Sequence, residues 1–267
     1  MSVHTGFPFL DEPRQRGTVV AMAHRGGARH PELVGLENTM EAFRHAVGLG
    51  YRYLETDVHV TADGHLLAFH DATLDRTTDG QGRVSDLTLE HIGSLRIARR
   101  AGIPLLTELL EALPDARINI DLKAPGCVDP IVEVLRRTGA HDRVCIGSFH
   151  EPTLRRFRRQ VGRPVATSAG IAAVLALRYA PFPHRAASLL RDSGAVLQVP
   201  VRNRGLSILD RRLLDIAHAD GRHVHAWTID DRAEMERLID MGVDGIITDR
   251  TDVLRDVLRS RGLWEAQ

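Results

Sequence analysis

Two pairs of charged residues, each spaced two apart, stand where a buried strand would be apolar: Glu55 and Asp57 in Leu54-Glu55-Thr56-Asp57-Val58, and Asp121 and Lys123 in Ile120-Asp121-Leu122-Lys123. Residues two apart on a strand point to the same face, so each pair projects together, and inside a closed barrel the two pairs face one another. Burying three like charges without compensation costs several kcal/mol or shifts their pKa values until they neutralise, so Glu55, Asp57 and Asp121 need a cation. Hard carboxylate oxygens suit Mg²⁺ or Ca²⁺. With no His or Cys cluster among these acids, zinc is disfavoured. The alternative is a structural ion-pair network of the same acids with Lys123 or Arg25.

Fourteen histidines are present, so position must choose among them. His24 closes an apolar run in Ala23-His24-Arg25-Gly26-Gly27, where glycines let backbone approach a ligand, and His70 stands in Phe69-His70-Asp71. Imidazole titrates near neutrality, and two of them on opposite sides of a phosphorus serve as base and acid. His223-Val224-His225 resembles a two-histidine metal motif but opens its strand, at the face of a barrel tied to stability, and reads as structural. All but one of the 35 basic residues are arginine, and the exception is Lys123. A site that needs a compact ammonium rather than a planar fork resists the exchange.

The elements that position these groups alternate along the chain. Strand-like runs cover 19–23, 53–58, 117–122, 144–148, 164–167, 195–199, 223–227 and 245–248; helical periodicity lies near 39–49, 106–113, 128–138, 152–160, 171–178, 211–219, 232–241 and 252–261. Eight such units in 267 residues predict a single-domain (β/α)₈ barrel rather than an open doubly wound sheet. After the second strand, the Asp63-Gly64 turn between apolar runs predicts a hairpin extension. The chain then runs irregularly from Asp71 to Gly102, an insertion expected to cover the catalytic face and govern access. Hydrophobic residues at 43% and charged residues at 26% describe an ordinary globular chain. Basic and acidic residues are 35 each, so no global field gathers nucleic acid or anionic lipid. Two cysteines, Cys127 and Cys145, make no disulfide framework. No run is long and apolar enough for a membrane helix and the first residues lack a signal-peptide pattern, which points to a cytoplasmic protein.

Taken together, the residues resemble the glycerophosphodiester phosphodiesterase family. The resemblance runs through His24-Arg25-Gly26, Glu37-Asn38-Thr39, Glu55-Thr56-Asp57-Val58, Thr61-Ala62-Asp63-Gly64, His70-Asp71, Leu74-Asp75-Arg76-Thr77-Thr78, Asp121-Leu122-Lys123, Ser148-Phe149, Trp227-Thr228 and the run from Gly242 to Asp249. It implies a barrel with a small insertion after the second strand, and a divalent ion, Mg²⁺ or Ca²⁺, on Glu55, Asp57 and Asp121. It also implies His24 and His70 as the acid-base pair, with His24 the base, and Arg25 and Lys123 gripping the phosphate. Glu37 and Asn38 are candidates for an outer supporting role, although Asn38 or Thr39 equally suits a helix cap. Trp227 is a candidate wall of the substrate site.

The implied reaction is hydrolysis of glycerophosphodiesters such as glycerophosphocholine or glycerophosphoethanolamine to sn-glycerol 3-phosphate and an alcohol. Attack by a neighbouring glycerol hydroxyl through a cyclic phosphate, and direct attack by water, are both open. Two further readings use the same residues: a lysophospholipase D with an acyl chain along Ile171 to Phe182, and a non-catalytic phosphodiester-binding barrel. Three departures from the family pattern stand out. Leu36 replaces proline before Glu37, Thr107 replaces an acid before Glu108, and Asp121 replaces a glutamate, one methylene longer. The last leaves the metal preference open. Arg155, Arg156, Arg158 and Arg159 read as a solvated outer helix face.

Overall fold

The computed structural model describes residues 4–181, 190 and 192–264. Its strands are β1 (Val20–His24), β2 (Tyr53–Val60), β3 (Leu66–Ala68), β4 (Arg117–Leu122), β5 (Val144–Gly147), β6 (Ala166–Thr167), β7 (Val196–Pro200), β8 (Arg202–Asn203), β9 (Leu206–Ser207), β10 (His223–Trp227) and β11 (Gly245–Thr248). The helices are α1 (Pro8–Gln15), α2 (Met40–Gly48), α3 (Leu89–Gly93), α4 (Leu106–Ala112), α5 (Val128–Thr138), α6 (Glu151–Gln160), α7 (Ile171–Tyr179), α8 (Arg211–Ala219), α9 (Arg232–Met241) and α10 (Thr251–Ser260).

Eight strands run parallel in the order β6-β5-β4-β2-β1-β11-β10-β7. The remaining seam is drawn together by a parallel bridge between Ser168 and Val196, with Ala195 N–H donating to Thr167 O and Ala169 N–H donating to Val196 O. The result is the nearly closed (β/α)₈ barrel that the alternation of strand and helix predicts. The expected hairpin is also present: β2 extends to Val60 and pairs antiparallel with β3, Val58 level with Ala68 and Val60 level with Leu66.

Strand side chains alternate between two environments. Outward-facing Leu54, Ile118, Ile120, Leu197, Val224 and Ile246 pack with the helices in the large core between the barrel and its helical shell. Inside, a smaller cluster of Val20, Met22, Tyr53, Cys145, Val196 and Ile247 is joined by Phe9 and Leu10 of α1, both fully buried. Helix α1 therefore plugs the barrel at the N-terminal ends of the strands. Phe9 packs edge-on against Tyr53 at 5.1 Å, and the Tyr53 hydroxyl donates to Phe9 O at 2.9 Å. Burying side chains of this size is worth about 1.5–3 kcal/mol each.

The segment from Asp71 to Gly102 departs from expectation. Leu74, Val84, Ile92 and Ile97 pack with Leu67 and Phe69 in a separate apolar cluster, and none of the segment's residues lines the central cavity. It meets the catalytic end of the barrel through Asp71, beside His70, and through Arg76, which pairs with Glu37. The cavity mouth is bordered instead by Phe149, α7 and the β8–β9 hairpin. Of the apolar stretch Ile171 to Phe182, Phe182 lies outside the described residues. The basic run on α6 is tied into its surroundings, with Arg155 and Arg158 on Glu151 and Arg156 on Asp129. No helix among the described residues is long and apolar enough to cross a membrane.

His223 and His225 stand below the cavity on the inner face of β10. His225 lies level with Gln198 and Gly245, and a Cβ on Gly245 would stand 2.7 Å from the His225 ring, so glycine makes room for it. His225 is fully buried and neither ring nitrogen has a hydrogen-bond partner. Burial, aided by repulsion from His223, pushes its pKa down to about 3, so the folded protein keeps it neutral. In the unfolded chain it takes up a proton as pH falls through ~6.5, whereas the folded chain does so only near the depressed value. Stability is therefore lost on acidification, by about 2 kcal/mol at pH ~5. Denaturant midpoints of the native protein and His225→Gln, compared at pH ~7.5 and ~5, check this. The native protein is expected to lose the larger amount; equal losses contradict the assignment.

Candidate active site

A cavity of about 530 Å³ opens at the C-terminal ends of the barrel strands. His24, Arg25, Glu55, Asp57, His70, Asp121, Lys123 and Trp227 all line it, so the structure gathers eight of the ten residues singled out by sequence in one place. Register explains the convergence. His24 lies level with Glu55 and Glu55 with Asn119, while Asp57 lies level with Asp121 and, one strand further, Asp121 with Gly147. Beside Glu55, Gln198 Nε2 donates to Asn119 Oδ1 at 2.8 Å, adding a polar pair to the cavity lining.

The remaining two, Glu37 and Asn38, stand behind the cavity wall. Gly26, at φ +84°, makes the turn that brings the wall close: a Cβ there would meet the Ala42 backbone at 2.9 Å. Asn38 is buried, accepts from Thr56 Oγ1 at 2.8 Å and donates through Nδ2 to Asp57 Oδ2 at 3.3 Å. Thr39, not Asn38, caps α2, its side chain accepting from Ala42 N–H. Glu37 accepts from Arg25 at 3.1 Å and from Arg76 at 2.7 and 2.9 Å. Burial works to raise the Glu37 pKa, but the two guanidiniums carry it below its ordinary value. Glu108 accepts from Leu105 N–H at the start of α4 and takes no part in the cavity.

The charged groups compensate one another unevenly. Lys123 Nζ sits between two acids, 2.6 Å from Asp57 Oδ1 and 2.8 Å from Asp121 Oδ2, and Arg25 Nε is 3.0 Å from Asp57 Oδ2. Burial alone would raise Asp57, yet the two cations hold it below its ordinary value. Asp121, sharing the single ammonium, remains raised by its burial. Glu55 receives the Arg25 backbone N–H at 3.1 Å and faces His24 Nε2 at 3.8 Å. Burial and the neighbouring charge of Asp57 push its pKa up to about 7.

The three carboxylates line one cavity without forming a closed shell of oxygens, because the Lys123 ammonium separates Asp57 from Asp121. A dication nevertheless fits this donor set. All three are hard oxygen donors, Glu55 lacks a full counter-charge, and Gly147 leaves open space opposite Asp121, where a Cβ would stand 3.3 Å from Asp121 Oδ1 and 3.5 Å from Gln198 Oε1.

Each imidazole is held by an aspartate. His24 Nδ1 lies 2.7 Å from Asp249 Oδ1, and His70 Nδ1 lies 2.6 Å from Asp71 Oδ1. With Nδ1 engaged, Nε2 is the ring nitrogen left to exchange protons. Burial opposes charging of His24, but Glu55 and Asp249 outweigh it and raise its pKa above the ordinary value. Arg76 joins the second pair to the first loop: its Nη2 reaches Asp71 Oδ1 at 3.0 Å and Glu37 Oε1 at 2.7 Å. Asp249, Asp71 and Arg76 were given no role by sequence reasoning. The available signals were an acid directly after His70 and another closing the strand next to β1. Trp227 borders the mouth, edge-on to Phe149 at 5.7 Å.

Two buried aspartates, a glutamate with a raised pKa, two cations and two oriented imidazoles can bind an anionic phosphorus centre and move protons on either side of it. Comparison with known proteins gives the chain its relatives. The sequence profile of the glycerophosphoryl diester phosphodiesterase family matches residues 24–253. A probable glycerophosphodiester phosphodiesterase 2 of Mycobacterium tuberculosis is 43% identical over 265 residues, covering 97% of this chain and 98% of the relative. Among solved structures, a putative glycerophosphoryl diester phosphodiesterase from Silicibacter pomeroyi superposes with a TM-score of 0.80 at 24% identity, over 97% of this chain and 99% of the other. An Oleispira antarctica phosphodiesterase in complex with the product sn-glycerol-3-phosphate superposes with a TM-score of 0.76 at 23% identity, over 92% and 98% of the two chains. The chain belongs to the glycerophosphoryl diester phosphodiesterase family and is an enzyme of that class.

Proposed function

We propose that the enzyme hydrolyses glycerophosphodiesters such as glycerophosphocholine and glycerophosphoethanolamine to sn-glycerol 3-phosphate and an alcohol, with His24 and His70 as proton carriers and a Mg²⁺ or Ca²⁺ ion on Glu55, Asp57 and Asp121. The observation that carries this reading is that both imidazoles, each pinned at Nδ1 by a carboxylate, line the same cavity as the three acids and the two cations. A dication bound there polarises a phosphate oxygen and offsets its charge. His24 Nε2 accepts the proton of the attacking hydroxyl or water as its oxygen bonds to phosphorus, and Asp249 stabilises the imidazolium that forms. Arg25 and Lys123 face the negative charge that accumulates on the phosphoryl oxygens. His70 Nε2 gives a proton to the alcohol oxygen as that P–O bond breaks.

Lys123 holds Asp57 and Asp121 from a single point, a geometry the planar guanidinium fork does not reproduce. Lys123→Arg is expected to lower kcat ~10-fold or more through misplacement of both acids, with the thermal midpoint little changed. Activity equal to native would contradict the positioning role.

A second reading, on lysophospholipids, rests on one feature of the cavity. Its wall opposite the acids is apolar, built from Ile171, Val174 and Leu175 of α7 with Phe149 and Ile208, and Ile171 and Leu175 remain 49% and 42% exposed. Such a wall suits an acyl chain. Product analysis with glycerophosphocholine and lysophosphatidylcholine separates the two. The first reading expects sn-glycerol 3-phosphate from glycerophosphocholine. Choline release from lysophosphatidylcholine alone replaces it with the second, and metal-dependent binding without turnover of either contradicts both.

A further inference from the structure

We infer that His30, Glu32 and His45 form a second cation site, outside the cavity, for zinc or a similar borderline transition-metal ion. One donor atom from each of the three residues lies within 4.8 Å of those of the other two. None of the three lines the cavity, and the inference does not rest on the proposed hydrolysis.

The backbone builds this cluster. After β1 the chain turns in steps of three, with Gly27 N–H donating to His24 O, His30 N–H to Gly27 O, Leu33 N–H to His30 O and Leu36 N–H to Leu33 O. These turns hold His30 buried against α2, whose last turn supplies His45; the two ring centroids are 4.4 Å apart, with planes tilted by 56°. Both rings keep a weakly committed nitrogen. His45 Nδ1 is buried without a hydrogen-bond partner, and His30 Nδ1 receives only a long bond of 3.2 Å from the Glu32 amide. Glu32 supplies the charge, its Oε2 3.2 Å from His45 Nε2, on a side chain 74% exposed and free to swing. Asp252 and Arg250 are the charged neighbours from the other side, paired with each other through two bonds of 2.7 and 2.9 Å.

Two imidazoles and one carboxylate match the three-ligand set of a zinc site whose fourth position is left to water, whereas Mg²⁺ and Ca²⁺ favour oxygen alone. Tetrahedral bonds of ~2.0–2.1 Å place donors about 3.4 Å apart, closer than the 4.8 Å within which all three lie, so closure takes a small shift of the rings together with a swing of the exposed glutamate arm. Occupancy ties the loop that carries Arg25, Glu37 and Asn38 to α2.

The test is a zinc titration of the chelator-stripped full chain against a chromogenic indicator, with Co²⁺ absorption and the thermal midpoint as parallel readouts. Native protein is expected to bind one equivalent of Zn²⁺, to gain a tetrahedral Co²⁺ spectrum and to unfold at higher temperature, with excess Mg²⁺ unable to displace the zinc. Glu32→Ala, at an exposed position that does not threaten folding, is expected to weaken binding at least ~10-fold, and His45→Gln to weaken it further. Asp121→Asn, in the cavity, is expected to leave it unchanged. Absence of zinc binding, or binding lost in Asp121→Asn but retained in Glu32→Ala, overturns the inference.

Discussion

His24→Ala is expected to hydrolyse glycerophosphodiesters at least ~10²-fold more slowly than the native enzyme, the scale for removing a positioned acid-base group. The imidazole is held from two sides, with Asp249 at 2.7 Å on Nδ1 and Glu55 at 3.8 Å from Nε2. Those acids raise its pKa against the opposing effect of burial, so they favour the imidazolium that forms when Nε2 takes the proton. Alanine removes the acceptor and leaves the Asp249 carboxylate to Arg29 Nε at 3.8 Å, while Asp249 N–H still donates to Asp230, so the adjoining loop keeps its backbone support. The loss should therefore appear in kcat with little change in KM, and the thermal midpoint should stay near the native value. Steady-state kinetics on glycerophosphocholine check this; activity within a few-fold of native contradicts the proton-transfer role.

Much of this arrangement was legible in the sequence, for a physical reason. Charged side chains two apart in an otherwise apolar strand have few explanations other than a shared inward face, and Glu55 with Asp57 and Asp121 with Lys123 fall on two strands paired level by level. The eight strand-helix units were legible because each outward strand face and inward helix face repeats apolar residues at its own period.

What escaped was organised by contacts distant in sequence. The plug α1 presents Phe9 and Leu10 to the apolar interior from a short segment broken up by Pro8, Asp11, Glu12 and Pro13, too few apolar residues to show a helical period. The β8–β9 hairpin turns through Arg204 and Gly205, both at positive φ, without the apolar alternation that marks a strand. Asp249 meets His24 across 225 residues of separation, so only its place at the end of the strand beside β1 hints at the pair. The length of the segment from Asp71 to Gly102 suggested a cover over the site, whereas its leucines, isoleucines and valine supply a private core that its spacing did not reveal.

The largest effect is expected from removing the proposed metal. Glu55 stands in the cavity pushed up to about 7 by burial and by Asp57, and Asp121 is raised as well, while a single ammonium serves both aspartates. Lys123 and Arg25 together do not offset three buried acids and an incoming phosphodiester anion. On the proposed assignment a cation of charge two would make up the difference, and its loss is expected to leave the residual activity at least ~10³-fold below that of the loaded enzyme, the scale of a missing electrostatic stabiliser. The most direct measurement is the rate of sn-glycerol 3-phosphate release from glycerophosphocholine by chelator-stripped enzyme, before and after addition of Mg²⁺ or Ca²⁺, in the native protein and in Asp121→Asn. The account predicts near-zero release without metal, recovery with one of the two ions in the native protein, and failure to recover in the variant. Full activity in the stripped native enzyme, or full metal rescue of Asp121→Asn, contradicts it.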